Sequence, residues 1–359
     1  MTKAYDIRMP ALTFTAGIAA GLLLFKAAGT TDWRVFLASA SSIAALTMLT
    51  ITLFFRRRTI ASISALFISA GIFCSAASAL SGLGTTEAAP HTAEILKTMI
   101  SSIPFRGRDT AALVTALTTG DKSGLDAEVT SAFRASGASH ILALSGLHLG
   151  IIYAILLKVT SVLGKSPAAR KARSLMIVSL CGYYTYMTGA PASLMRALLF
   201  ILINESARLM HRKASPVGIY CAALTIQLII TPQVIASAGF QLSYLAMAGI
   251  FFIYPVLKSW YPEGGSGMTR LTRKIWDISA LTVSCQLLTG PLAYAMFGTF
   301  PRYFLLTNLL ALPVTSILML LSVTTIALSA AGLCPDFIVQ MTDHAASALI
   351  FIMKVISTM

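Results

Sequence analysis

The chain has 359 residues, 56% of them apolar and only 11% charged, with a mean hydropathy of +0.79. Soluble globular domains carry about 25% charged residues, so no separate soluble domain of ordinary size fits. The formal charge of +14 is of a kind that nucleic-acid binders carry. Basic loops also orient membrane proteins, so the placement of the charges decides its meaning.

Apolar runs of membrane-spanning length recur from end to end. They predict an all-α polytopic bundle of about eleven spans, at 10–28, 34–55, 60–82, 139–164, 172–188, 193–210, 215–231, 234–257, 276–297, 303–330 and 337–358. The first follows Lys3 and Arg8 in the manner of a signal peptide, but two more spans come directly after it, so it reads as a retained helix. Three regions result: an N-terminal three-helix segment at 1–84, an extracytoplasmic connection at 85–138 and a transmembrane domain at 139–359. With the N-terminus inside, the inner segments hold more than half of the 27 lysines and arginines. The outer ones hold Arg34, Lys97, Arg106, Arg108, Lys122, Arg134 and Arg302 beside acidic residues. This bias places the N-terminus in the cytoplasm and the C-terminus outside, and explains most of the charge without a polyanion.

The connection at 83–138 carries helical periodicity. Ile95, Leu96, Met99, Ile100 and Ile103 share one face, Asp109 opens a second run ending at Gly120, and Leu125, Val129 and Phe133 mark a third. Three short amphipathic helices on the outer surface are the reading; they could line a cavity mouth or form a packed cap. The five cysteines are scattered through apolar segments without a C-x-x-C pair, so they read as core packers.

Chemistry concentrates in three places. In H-I-L-A-L-S-G-L-H-L-G at 140–150, Gly146 and Gly150 are four apart, the spacing of a close helix-packing face, while Ser145 and His148 lie three apart on another. His148 would sit about two turns below His140 at membrane depth. A buried histidine bonded to a neighbouring helix fits equally. A serine hydrolase pair does not, because side chains at i and i+3 rarely reach attack geometry and no orienting carboxylate is evident. In Y-M-T-G-A-P-A-S-L-M-R-A at 186–197, Gly189, Ala190 and Pro191 break the helix, and Pro191 with Ser193 suits the start of the next. Arg196 in its first turns, beside unsatisfied N–H groups, makes an anion site; snorkelling or pairing is the alternative. In G-F-Q-L-S-Y at 239–244, Gln241 and Ser243 interrupt an apolar span. Tyr186 and Tyr244 could stack on bases or anchor at an interface.

Together with A-L-T-T-G-D-K-S-G-L-D at 116–126 and F-R-A-S-G at 133–137, these segments resemble the competence domain of the ComEC/Rec2 DNA-uptake family over about residues 92–320. The resemblance implies a channel in the bacterial cytoplasmic (inner) membrane that passes single-stranded DNA into the cytoplasm during natural transformation. It places His140, Ser145, His148, Arg196, Gln241 and Ser243 along a polar path. Full-length members usually add an OB-fold module and a metallo-β-lactamase-like nuclease. Here residues 83–138 are too few for the former and no H-x-H-x-D-H metal motif occurs. The expectation is therefore a non-enzymatic channel with no cofactor or metal, working with a separate nuclease and a cytoplasmic motor or DNA-binding protein, in contact with membrane lipid and possible as a homodimer. No phosphate-binding G-x-x-x-x-G-K-[ST] loop is present to drive it. A secondary transporter of a smaller anionic solute on the same scaffold is the alternative.

Overall fold

A computed structural model describes residues 8–27, 64–65, 67–72, 74–75, 91–164, 166–212, 215–261, 267–298 and 302–359. Every regular element among them is helical. In chain order they are α1 (Arg8–Ala27), α2 (His91–Ser101), α3 (Thr110–Thr119), α4 (Ala127–Ala135), α5 (Gly146–Val159), α6 (Pro167–Met187), α7 (Ala192–Leu209), α8 (Pro216–Ile230), α9 (Ala238–Ser259), α10 (Gly267–Phe297), α11 (Phe304–Ala330) and α12 (Asp336–Ser357).

Five segments are long and apolar enough to cross a bilayer: Gly146–Leu163, Ala238–Ser259, Thr272–Phe297, Phe304–Ala330 and Asp336–Ser357. The protein is thus an all-helical membrane protein, with five such segments among the described residues where about eleven spans were expected. The difference has local causes. The expected span at 34–55 lies outside the described residues, as does most of 60–82. Helix α6 carries Arg170, Lys171 and Arg173, and α7 carries Arg196, Glu205 and Arg208. Helix α8 has only 15 residues.

Two compact units form, one of residues 1–87 with 199–241 and one of 88–198 with 242–359. In the first, α1 packs on α8. Gly17 and Gly71 let α1 and the helical residues of 64–75 touch backbone to backbone, since a Cβ at either would collide with a main-chain oxygen. The Ser75 hydroxyl donates to the Ile18 carbonyl at 3.0 Å across that contact. Such close approach replaces the hydrophobic driving force that lipid does not supply.

The second unit is built around one core that includes Leu117, Phe133, Leu142, Leu318, Leu349 and Met353. Helices α11 and α12 form its antiparallel hairpin: the Tyr303 hydroxyl at one end donates to the Met359 carbonyl at 3.0 Å, and the Thr325 and Thr342 hydroxyls meet at 3.0 Å in the buried seam. Three helices do occupy the 83–138 connection. The expectation of surface helices fails for α3, where Leu113, Val114, Ala116, Leu117, Thr118 and Thr119 are buried. It packs against α11 and α12, some 200 residues onward, a partnership that periodicity cannot disclose.

A buried carboxylate fastens this connection down. Asp343 of α12 is 7% exposed and accepts from the backbone N–H groups of Arg106 and Gly107 at 2.9 and 3.0 Å. Farther along, Lys97 reaches Asp121 at 2.6 Å. Its ammonium, with the Ser123 N–H, holds the Asp121 carboxyl down to about 2. None of the five cysteines forms a disulfide.

Helix α9 contains a wide turn. Pro255 has no N–H and its ring would strike a carbonyl four residues back. The backbone relaxes into a π turn over Gly249–Ile253, in which the Tyr254 N–H donates to the Gly249 carbonyl. Gly249 lies directly on the α10 backbone at Ser284, with no room for a side chain.

Asp343→Ala leaves two backbone donors without their acceptor, and we expect a loss of about 1–3 kcal/mol in unfolding measured in detergent. The Asp121 pair is present above the ordinary carboxylate value and lost as pH falls through about 2. Lys97→Ala should therefore be less stable than the native chain above pH 4, with the two melting curves converging on acidification toward pH 2.

Candidate functional site

Helix α5 begins at Gly146, later than the apolar run suggests. Ser145 is its N-cap: the hydroxyl accepts from the Leu147 N–H at 3.3 Å, and the Ser145 N–H donates to His148 Nδ1 at 3.0 Å. This is a capping box with histidine in the place usually taken by Glu or Gln. Because Nδ1 accepts a backbone N–H, the ring proton sits on Nε2. The side chain is 1% exposed, and Nε2 meets no acceptor among the described residues.

Several details of the sequence reading change accordingly. Ser145 and His148 do meet, with Oγ 2.9 Å from Nδ1, because Ser145 stands outside the helix with extended backbone that folds it over the first turn. The contact is a cap, since both atoms are already engaged with main-chain N–H groups. His140 is not two helical turns above His148. It is exposed in the turn after α4, with Nδ1 3.1 Å from the Gly137 carbonyl. Gly146 packs closely, whereas Gly150 is exposed, with nothing among the described residues within 4 Å of where its side chain would be.

The second motif ends α6 and starts α7. Ala190 N–H donates to the Thr185 carbonyl at 2.9 Å and Gly189 N–H to Tyr186 at 3.1 Å, the two bonds of a Schellman close. The backbone goes left-handed at Gly189 (φ 78°) and again at Ala190 (φ 47°). Pro191 then caps α7 with its carbonyl, which accepts from Met195 N–H at 2.9 Å. Ser193 does not cap: its hydroxyl donates to the Leu144 carbonyl at 2.6 Å and ties the start of α7 to the strand of chain entering α5.

Arg196 is 8% exposed. Its guanidinium lies against the first residue of α5, with Nη2 3.2 Å from the position a Gly146 Cβ would take. On another side it stands 5.6 Å from the ring centroid of Tyr244, itself buried. The helix start that meets Arg196 is therefore that of α5, where sequence spacing pointed to the start of its own helix. Three motif segments, distant in the chain, converge on one cation: Leu144–Gly146, Ser193–Arg196 and Tyr244.

Other expected residues lie elsewhere. Tyr186 is 53% exposed. Ser243 is half-buried. The Gln241 amide donates to the Ile235 carbonyl at 2.7 Å, closing the turn before α9. The cap at Ser145 and the tie from Ser193 to Leu144 were missed in the sequence. Serine followed three residues later by a side chain with an acceptor, at the edge of an apolar run, was the available signal for the first; nothing local signals the second.

The family model described as Competence protein matches residues 117–359. The chain belongs to that family. It is similar to ComE operon protein 3 of Bacillus subtilis, 32% identical over 136 residues that make up 38% of this chain and 17% of that protein. It is also similar to Recombination protein 2 of Haemophilus influenzae, 22% identical over 250 residues, 67% of this chain and 32% of that one. Uncharacterized protein YcaI of Escherichia coli is 23% identical over 228 residues, 62% and 29% of the two chains. The chain spans about a third or less of the length of these curated relatives. No solved structure matches significantly. The stretch matched by the competence family holds every residue that meets at Arg196.

Left-handed backbone costs a residue with a Cβ roughly 1–2 kcal/mol. Ala190→Gly should therefore stabilise the protein by about 1 kcal/mol, measured by thermal unfolding in detergent, with the site geometry preserved.

Proposed function

We propose that this protein forms the membrane passage through which single-stranded DNA enters the cytoplasm during natural transformation. The observation that carries the reading is the burial of Arg196 between the start of α5 and the ring of Tyr244, inside the region shared with competence proteins. An arginine is always charged and its planar fork suits phosphate oxygens. The start of a helix adds positive potential and outward N–H groups at the same spot. A strand moving past would find there one strong, localised phosphate contact, flanked by an aromatic face on which a base can stack. One strong site, and not a continuous run of them, suits translocation, since a tightly held polyanion would not leave.

In this reading the membrane is the bacterial inner membrane, with the N-terminus cytoplasmic as the basic loops indicate. Force and strand degradation come from partner proteins, a cytoplasmic motor or DNA-binding protein and a separate nuclease. The names of the relatives, a ComE operon protein and a recombination protein, fit that setting.

Arg196→Glu should lower transformation frequency and the internalisation of labelled DNA by at least tenfold at unchanged membrane level, with Arg196→Lys intermediate because it keeps the charge but loses the fork. Unchanged uptake in Arg196→Glu would remove this residue from the mechanism. Uptake of labelled inorganic phosphate by proteoliposomes, without internalised DNA in cells, would move the reading to the transport of a small anion.

A further inference from the structure

The loop at 102–109, between α2 and α3, lies deeper than a surface connection would. Its anchor, Asp343, stands about 10 Å from the Asp336 end of α12 and about 21 Å from the Ser357 end, at 1.5 Å per residue. Helix α3 starts beside that carboxylate, with Gly107, Thr110 and Asp343 in close contact. By Glu128, in the first turn of α4, the chain is back at the Ser357 end, where Glu128 meets Lys354 at 2.8 Å and Ser136 Oγ meets Met353 Sδ at 3.3 Å. On the other arm, the Lys97 bond to Asp121 holds α2 against the far end of α3. The connection therefore descends along α2, turns at 102–109 and climbs along α3 to the end of α12 from which it came.

The tip of this hairpin is charged and open. Arg106 and Arg108 flank Gly107, and both are exposed. Among the described residues neither forms an ion pair. The approach to the tip is polar as well. Glu94, Thr98, Ser101 and Ser102 are exposed on α2 and fall within about 100° around its axis, with exposed Ile95 at the margin and buried Ile100 on the opposite side. A row that begins at a carboxylate and ends at two guanidinium groups belongs against water, since ionised side chains at membrane depth face a polar interior or a water-filled cavity. Non-helical backbone at that depth obeys the same rule.

The other end of α3 adjoins the Arg196 site. The Thr118 carbonyl accepts from the Tyr184 hydroxyl at 2.8 Å, and Gly120 lies against the side chain of Leu144, the residue that Ser193 ties to the start of α7. Helix α3, with its 10 residues, thus runs about 15 Å from that site toward the tip.

We propose that α2, the 102–109 loop and α3 form a re-entrant hairpin lining the passage, whose tip offers Arg106 and Arg108 as a second, solvated contact for the phosphates of single-stranded DNA. The wet hairpin stands on its own geometry, whereas the identity of the polyanion rests on the reading of the previous subsection. A lipid headgroup as the occupant would leave the polar approach along α2 without a purpose. Water around the guanidinium groups weakens each contact, so a strand held there can move on.

The test is cysteine accessibility in sealed spheroplasts, with a small membrane-impermeant methanethiosulfonate supplied from outside and the unsubstituted chain as the blank. Arg106→Cys and Arg108→Cys should react at least tenfold faster than Leu113→Cys, buried in α3, and a single-stranded oligonucleotide should slow them at least threefold. Reaction no faster than at 113, or only after the inner face is opened, overturns the wet hairpin and leaves the Arg196 site standing if cells still internalise DNA. Fast reaction that the oligonucleotide does not slow, in a chain competent for uptake, overturns the strand contact. The double variant Arg106→Gln with Arg108→Gln keeps the backbone bonds to Asp343. It should lower internalised DNA at least fivefold at normal membrane level, with the corresponding lysine pair retaining most of the uptake, and an unaffected glutamine pair would also overturn the strand contact. Cells in which the unsubstituted protein makes no difference to DNA entry would sink the parent reading, while the labelling pattern still reports on the hairpin.

Discussion

A permanent positive charge held at 8% exposure in a chain this apolar constrains everything near it. Arg196 cannot neutralise itself by losing a proton, so its surroundings must supply electron density and shape. The aromatic face of Tyr244 meets the first need. The glycine that opens α5 meets the second, because any side chain there would push into the guanidinium. The Ser193 bond to Leu144 and the left-handed pair at Gly189 and Ala190 are best understood as the scaffold that delivers this one group to its place.

The second unit also shows how a membrane protein manages a long connection. Residues 91–138 fold back as three helices, one of them buried nearly all round, and a carboxylate on α12 accepts two of the main-chain N–H groups between helices. Backbone that is not helical survives only where such partners exist. Asp343 therefore reads as an architectural acid.

The helical class was legible in composition, and the three chemical segments were legible as charged or polar interruptions of apolar runs. What the sequence could not say was which surfaces meet. The start of α5 was misplaced because residues 139–145 are as apolar as the helix that follows. The capping geometry of Ser145, not hydropathy, sets the boundary. The sequence leaves α3 open between cavity mouth and packed cap because its burying partners lie some 200 residues away.

The widened turn in α9 has a reach longer than its five residues. One extra residue in a turn rotates everything before it by about 100° relative to an unbroken α-helix. Tyr244 lies eleven residues ahead of Pro255, so the ring that faces the guanidinium owes its bearing to an imino acid nearly three turns away. Any change that let the helix rewind regularly would swing the aromatic face aside while leaving both residues in place, and the cation would lose its neighbour without a single contact residue having been altered.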